Sequence, residues 1–252
     1  MKGAHWIRIG LAVAAIWLCA AGNAAAQEPA ALTLQMDGGG GTGQISTVIQ
    51  IMVLLTVLSM APAILLMTTS FIRIVVVLSF LRQAMGTQQM PPNQIIIGLA
   101  MFLTLFIMAP VFTQINEEAL QPYLQEEIEG RQALETAAIP MREFMFGQVR
   151  EADLVLMRQI SGNEQVPETR EDISIITLIP AFMLSELKRA FQIGFMIFVP
   201  FLVIDMITAS VLMTMGMLML PPIIISLPFK VLLFVLVDGW NLVVGSLVQG
   251  FY

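Results

Sequence analysis

The sequence predicts an all-α membrane protein built of kinked helical hairpins around a small α-helical domain that faces water. Three observations carry this. Hydrophobic residues make up 57% of the 252 positions and charged residues 12%, about half the charge that a soluble domain carries. The apolar residues fall in long runs rather than in alternation, so strand signals are absent. One stretch, residues 114–172, breaks the pattern with thirteen acidic residues, five arginines and no lysine, a net charge of −8. A surface with so few charges elsewhere must meet lipid or other protein subunits.

Residues 1–26 read as a cleavable signal peptide. Lys2 and Arg8 give a basic start, Ile9 to Ala21 is an apolar run too short to span comfortably, and Ala24-Ala25-Ala26 offers a small-residue cleavage site before Gln27. The rival is a retained first membrane helix. A lipid anchor on Cys19 is the weaker alternative, because Trp17 and Leu18 are bulkier than the residues that precede such a cysteine. Cleavage would remove His5, the only histidine, and Cys19, the only cysteine. The remaining chain could then form neither a His/Cys zinc site, nor a histidine-based triad, nor a disulfide. No metal and no cofactor are expected. The sequence pI is ≈ 4.8 and no basic stripe occurs, which argues against nucleic acid.

Residues 27–44 form a Gly-rich linker. Gly38 to Gly43 could suggest a phosphate loop, but Gln44 follows where a P-loop places Lys-Ser/Thr. Residues 45–113 are read as a first helical hairpin. Ile45 to Met67 has 23 residues without a charge, enough to cross about 30 Å of hydrocarbon, and Pro62 would kink it. Arg73 and Arg82 bracket an apolar stretch too short to cross, either the continuation of a bent helix or a helix lying against other protein. Met90-Pro91-Pro92-Asn93 makes a hard turn after which a helix can begin, and Gln94 to Thr113 is the second long run.

In the acidic stretch, Leu154, Met157 and Ile160 recur at helical spacing among charged residues. Two or three amphipathic helices in a solvated cap follow. Residues 173–252 form a second hairpin, with helices expected around Phe191 to Val211 and Leu227 to Val248. If the signal is cleaved, four spans place the turns at Arg82, Pro91 and Pro92 and at Pro221-Pro222 on the cytoplasmic side, together with Lys230. The acidic domain is then periplasmic.

Four ionisable residues stand in or beside apolar sequence: Glu186, Lys188, Arg189 and Asp205. A charge at the bilayer centre costs at least ~2.5 kcal/mol on insertion scales, so such groups face a bundle interior, a water path or a partner. Glu186 and Arg189 are three apart and could pair on one helix face. A salt bridge inside the bundle or between subunits and a proton or ion relay both remain open. The second oddity is Met213, Met215, Met217 and Met219, alternating just before Pro221-Pro222. Methionine is flexible and suits surfaces that must conform to different shapes. In a non-helical loop alternate residues would point the same way and could line a compliant pore seal. Ordinary core packing is the competing explanation.

At these residues the sequence resembles a known family. Pro180-Ala181-Phe182-Met183-Leu184-Ser185-Glu186-Leu187-Lys188, the run from Phe198-Val199-Pro200 to Ile204-Asp205, and Gly216-Met217 before Leu220-Pro221-Pro222 are similar to the signature region of FliP and of its SctR relatives in virulence type III secretion. Leu227-Pro228-Phe229-Lys230, Val237-Asp238-Gly239-Trp240, Thr69-Ser70-Phe71-Ile72-Arg73 and the Leu81-Arg82-Gln83 to Asn93 turn fit as well. The resemblance covers roughly residues 45–252. It implies a core subunit of the flagellar type III protein-export gate in the inner membrane: a homo-oligomer of several copies, joined by FliQ and FliR into a helical gate, with FlhA and FlhB, passing unfolded flagellar subunits. It implies that helices of membrane-spanning length pack largely on one another. It makes Met213, Met215, Met217 and Met219 a pore gasket, with Leu218 a departure from an all-methionine version, and it places Glu186 at subunit contacts. Two other readings compete. One is an ion or proton channel subunit using Asp205. The other is an intramembrane Ser/Lys hydrolase using Ser185 and Lys188, for which no oxyanion donors are visible. The methionine run favours the gate, since a selective ion path needs fixed polar ligands or charge rings.

Overall fold

The structure is a computed structural model that describes residues 42–87, 89–162, 169–170, 172–217 and 220–251. The signal-peptide reading, nearly all of the linker reading, and Leu218 and Met219 lie outside the described residues. The chain falls into two units, residues 1–54 and 55–252. The described part of the first is the opening of helix α1, Thr42–Met67, so the last three residues assigned to a linker are already helical.

Among the described residues, seven longer α-helices follow: α2 Phe71–Met85, α3 Asn93–Ile115, α4 Gly130–Gln148, α5 Glu151–Ile160, α6 Ile175–Thr214, α7 Pro222–Leu236 and α8 Gly239–Gln249. No strand occurs among the described residues. The side chains of Ile51 to Met60 on α1 are all exposed and nearly all apolar, the pattern of a helix that meets lipid or another subunit.

The short run with two arginines becomes α2, a separate helix and the best-buried one. Ile74, Val77, Leu78, Leu81, Ala84 and Met85 recur at three- and four-residue steps and form much of the main core. This face packs on α6, and α3 adds Ile96, Ala100, Leu103 and Ile107 from its own face. The opposite side of α3, with Met101, Phe102, Leu105 and Phe106, is exposed. Close approach of α2 and α6 depends on Gly194: a Cβ there would stand 2.7 Å from the Phe80 ring.

The helix α6 is the spine. Its 40 residues give a length of about 60 Å, twice the hydrocarbon thickness. It begins 16 positions before the expected Phe191, because Pro180 and Pro200 lie inside it rather than ending it. In a packed bundle, neighbours satisfy the carbonyls that proline leaves free. Ser174 caps its start, accepting the Ile176 N–H at 3.4 Å.

The acidic stretch docks on the first turns of this spine. Met145 of α4 packs with Ile173, Leu178 and Phe182 in a second small core. Its first boundary differs from expectation: the apolar α3 runs on through a π-helical turn, Asn116–Leu120, to Leu124. On α5 the buried residue is the polar Asp153, while Ile160 of the expected apolar stripe is exposed.

Near the end, the single helix expected over Leu227 to Val248 is two, bent by 63°. Asp238 takes a left-handed conformation with φ 49°, a backbone state that Asp tolerates better than most residues. Among the described residues, three helices are long and apolar enough to cross a membrane, or four if the bent pair counts as one, in line with the four expected.

Candidate functional site

Three of the four ionisable residues that the sequence singled out, Glu186, Arg189 and Asp205, sit in two polar clusters on α6, one at each side of its apolar middle. In the first, Arg73 of α2 and Glu186 of α6 are 1% and 0% exposed. The guanidinium grips the carboxylate with two hydrogen bonds, Nε to Oε2 at 2.7 Å and Nη2 to Oε1. Nη2 also donates to Gln148 Oε1 at 2.9 Å, and Nη1 to the Gly250 carbonyl at 3.0 Å. The Phe251 ring lies 3.6 Å below the guanidinium carbon. Four segments therefore meet at one side chain: α2, the end of α4, α6 and residues 250–251.

The expected pairing is present but is not the closest one. Arg189 is near Glu186, at 4.0 Å, but its hydrogen bond goes to Gln148 Oε1. The close partner of Glu186 is Arg73, and the carboxylate is fully buried within its own chain. Lys188, grouped with the buried charges, is exposed. Ser185 is fully buried, donating to Asp153 Oδ2 at 2.7 Å and accepting the Arg150 N–H at 3.0 Å. It serves as a link between α5 and α6. With Lys188 exposed and Ser185 enclosed, the Ser/Lys hydrolase reading finds no support in this geometry.

The second cluster contains Asp205. Its Oδ2 accepts from Lys230 Nζ at 2.6 Å and its Oδ1 from Ser226 Oγ at 2.5 Å, so α7, which carries both donors, is clasped to α6. Lys230 also donates to the Ala84 carbonyl at 3.2 Å, in the last turn of α2, where a cation is favoured by the helix dipole. Lys230, expected on the cytoplasmic side, is thus 3% exposed and joins three helices.

Beyond this clasp lies the methionine segment. Met213 closes the last turn of α6, and Met215 and Gly216 turn the chain. Gly216 has φ +75°. Its N–H bonds the Met213 carbonyl at 3.1 Å and the Met217 N–H bonds the Leu212 carbonyl at 3.0 Å, the Schellman arrangement that ends a helix at a left-handed glycine. The expected loop is therefore half helix end and half turn. Met213 and Met215 are 65% and 61% exposed, so within one chain they are not core.

The turn at Arg82, Pro91 and Pro92 is as the prolines dictate. Pro92 precedes the first residue of α3, and Arg82 Nη1 donates to Asn93 Oδ1 at 2.6 Å and to the Pro91 carbonyl at 3.3 Å. Among the described residues, no group of three or more His, Cys, Asp or Glu side chains could hold a metal.

Sequence reading missed Gln148 and Arg73 as members of the first cluster. Arg73 carried a signal, a cation inside an apolar run; Gln148 carried none.

Comparison with known proteins places this arrangement. The FliP family profile matches residues 54–247. The chain is 56% identical over 207 residues to the flagellar biosynthetic protein FliP of Bacillus subtilis, covering 82% of this chain and 93% of the relative. It is 51% identical to the protein of that name from Caulobacter vibrioides, over 96% of this chain and 90% of the relative. The corresponding figure for Pectobacterium carotovorum is 49%, over 97% and 93%.

Proposed function

Because the chain belongs to the FliP family and is therefore a component of the flagellar type III export apparatus, we propose that it is a core subunit of the export gate. Several copies surround a pore for unfolded flagellar subunits in the inner membrane. FliQ and FliR complete the gate, FlhA and FlhB join it, and the acidic helices face the periplasm. The chain itself carries out no catalytic step.

The observation that carries this reading is the methionine turn. Three apolar, flexible side chains, Met213, Met215 and Met217, are exposed at the tip of the α6–α7 hairpin. Behind them the Asp205–Lys230 clasp gives the tip a firm base. A ring of such tips would present soft side chains that close on one another and yield to a passing polypeptide. Ion-channel use of Asp205 is disfavoured by its geometry, since both carboxylate oxygens already accept hydrogen bonds from α7.

The test is a photo-crosslinking amino acid at Met215 in cells exporting a flagellar subunit fused to a domain too stable to unfold. The stalled substrate should crosslink at position 215 and not at Leu134 on the exposed face of α4. Equal crosslinking at both, or at neither while export stalls, would reject a pore lined by this turn.

A further inference from the structure

The broken span at the end of the chain carries a carboxylate that its own fold does not use. Asp238 stands at the 63° bend between α7 and α8, near the middle of the stretch Pro222–Gln249. Its side chain is exposed, and so are the apolar Val235, Leu236, Val237, Trp240 and Leu242 that flank it in the chain. Surface of that kind meets lipid or protein, and there a charge is costly unless a partner faces it. Asp238 precedes the first residue of α8, yet its side chain caps no backbone N–H. Its hydrogen bond is with Asn241 Nδ2, a neutral group at 3.2 Å. Among the described residues no Lys or Arg pairs with it. The backbone does not explain the charge either: at φ 49° asparagine is tolerated as readily as aspartate.

We infer that Asp238 is a docking point for a Lys or Arg side chain on an apolar helix of a different membrane subunit. This rests on the multi-subunit gate reading and names one of its contacts. Charge complementarity sets the chemistry, since an anion on an apolar surface is matched by a cation on the surface that faces it. The chain's own cations point away from a second copy as the source. Arg73 and Lys230 are buried and paired. Arg82, which lines a small pocket together with Trp240, donates from Nη1 to Asn93 and to the Pro91 carbonyl. The other seven cations among the described residues fall within 131–189. Of these, Lys188 and Arg189 stand on the turns of α6 where the acidic helices dock, as the Arg150–Ser185 and Gln148–Arg189 bonds show. Beyond those turns the apolar helices offer no uncommitted cation among the described residues.

The experiment uses the full chain in cells that make the complete apparatus and measures which membrane subunits co-purify with it. Asp238→Asn keeps a residue that tolerates the left-handed bend and removes the charge. It should leave the amount of this chain and its helical content by circular dichroism unchanged. Co-purified partner subunit should nevertheless fall by about tenfold or more, the size expected when one side of an enclosed charge pair is lost. Asp238→Lys should abolish motility, and second-site revertants should replace a Lys or Arg in an apolar helix of another subunit. If Asp238→Asn brings down the same subunits at the normal level and supports export, the carboxylate serves only the bend and the inference is overturned. Revertants confined to this chain, at Arg82 or Lys188 for example, would overturn it as well, since the cation then comes from a copy of the chain itself. If the unsubstituted chain brings down no other membrane subunit, the gate reading fails and this contact fails with it.

Discussion

Arg73 and Glu186 lie 113 positions apart in the chain and meet as a buried, two-pronged ion pair that joins α2 to the long helix α6. Replacing a buried pair by apolar residues is often neutral, but removing one partner strands the other charge, at about 3–5 kcal/mol. Arg73→Met or Glu186→Leu alone should therefore destabilise the detergent-solubilised protein by about that much, and the double variant should recover most of it. Denaturant or thermal unfolding followed by circular dichroism reads this out. Equal loss in the double variant would mean that Arg73 acts mainly through Gln148, Gly250 and Phe251 instead.

The residues at positions 250 and 251 act as a clamp on the same arginine. The Gly250 carbonyl accepts from Arg73 and the Phe251 carbonyl from Gln148 Nε2 at 3.2 Å, with the Phe251 ring against the guanidinium. A Phe251→Ala variant should lose about 1–2 kcal/mol from the cation–π contact and its packing. Protease cleavage between α4 and α5 should quicken, because Gln148 loses order. An unchanged cleavage rate would limit the effect of Phe251 to its own ring.

Gly194 sets how closely α2 approaches α6. A Gly194→Val substitution would drive its side chain into Phe80, whose ring stands 2.7 Å from where a Cβ would be. Overpacking of this kind costs about 1–3 kcal/mol. Phe80→Ala in the same chain should relieve part of it, a coupling that a double-mutant cycle on unfolding free energy measures. Strict additivity would mean that the helices separate rather than clash.

At the tip of the α6–α7 hairpin, Gly216 holds φ +75°. A β-branched residue there pays roughly 1–2 kcal/mol for the left-handed state. Gly216→Val should leave assembly intact, since no described residue lies within 4 Å of a Cβ at that position, yet reposition Met215 and Met217. Labelling of a cysteine at Met215 should change rate in this background. An unchanged rate would show the turn geometry to be held from elsewhere.

Much of the fold was legible because its signals are local. Apolar runs gave α1 and α3, and Pro91-Pro92 gave the turn before α3. The partners of the charges were not legible, because Arg73 reaches Glu186 across 113 positions and Asp205 reaches Lys230 across 25. The nearer option, Arg189 at three residues, looked sufficient. Pro180 and Pro200 read as punctuation, since in water a helix-interior proline costs about 3 kcal/mol; inside α6 they do not end the helix. The break at Asp238 was hidden for the opposite reason, as its flanks are apolar on both sides.

The central claim is that the exposed methionines at the hairpin tip form the seal of a protein-conducting pore. It is tested most directly by replacing Met213, Met215, Met217 and Met219 with alanine in the cell, then recording inner-membrane leakage of ions or small dyes alongside recovery of the assembled complex. A seal predicts that leakage rises while the complex is recovered at its normal level. A membrane that stays tight while the complex is lost would contradict the account and return these methionines to packing.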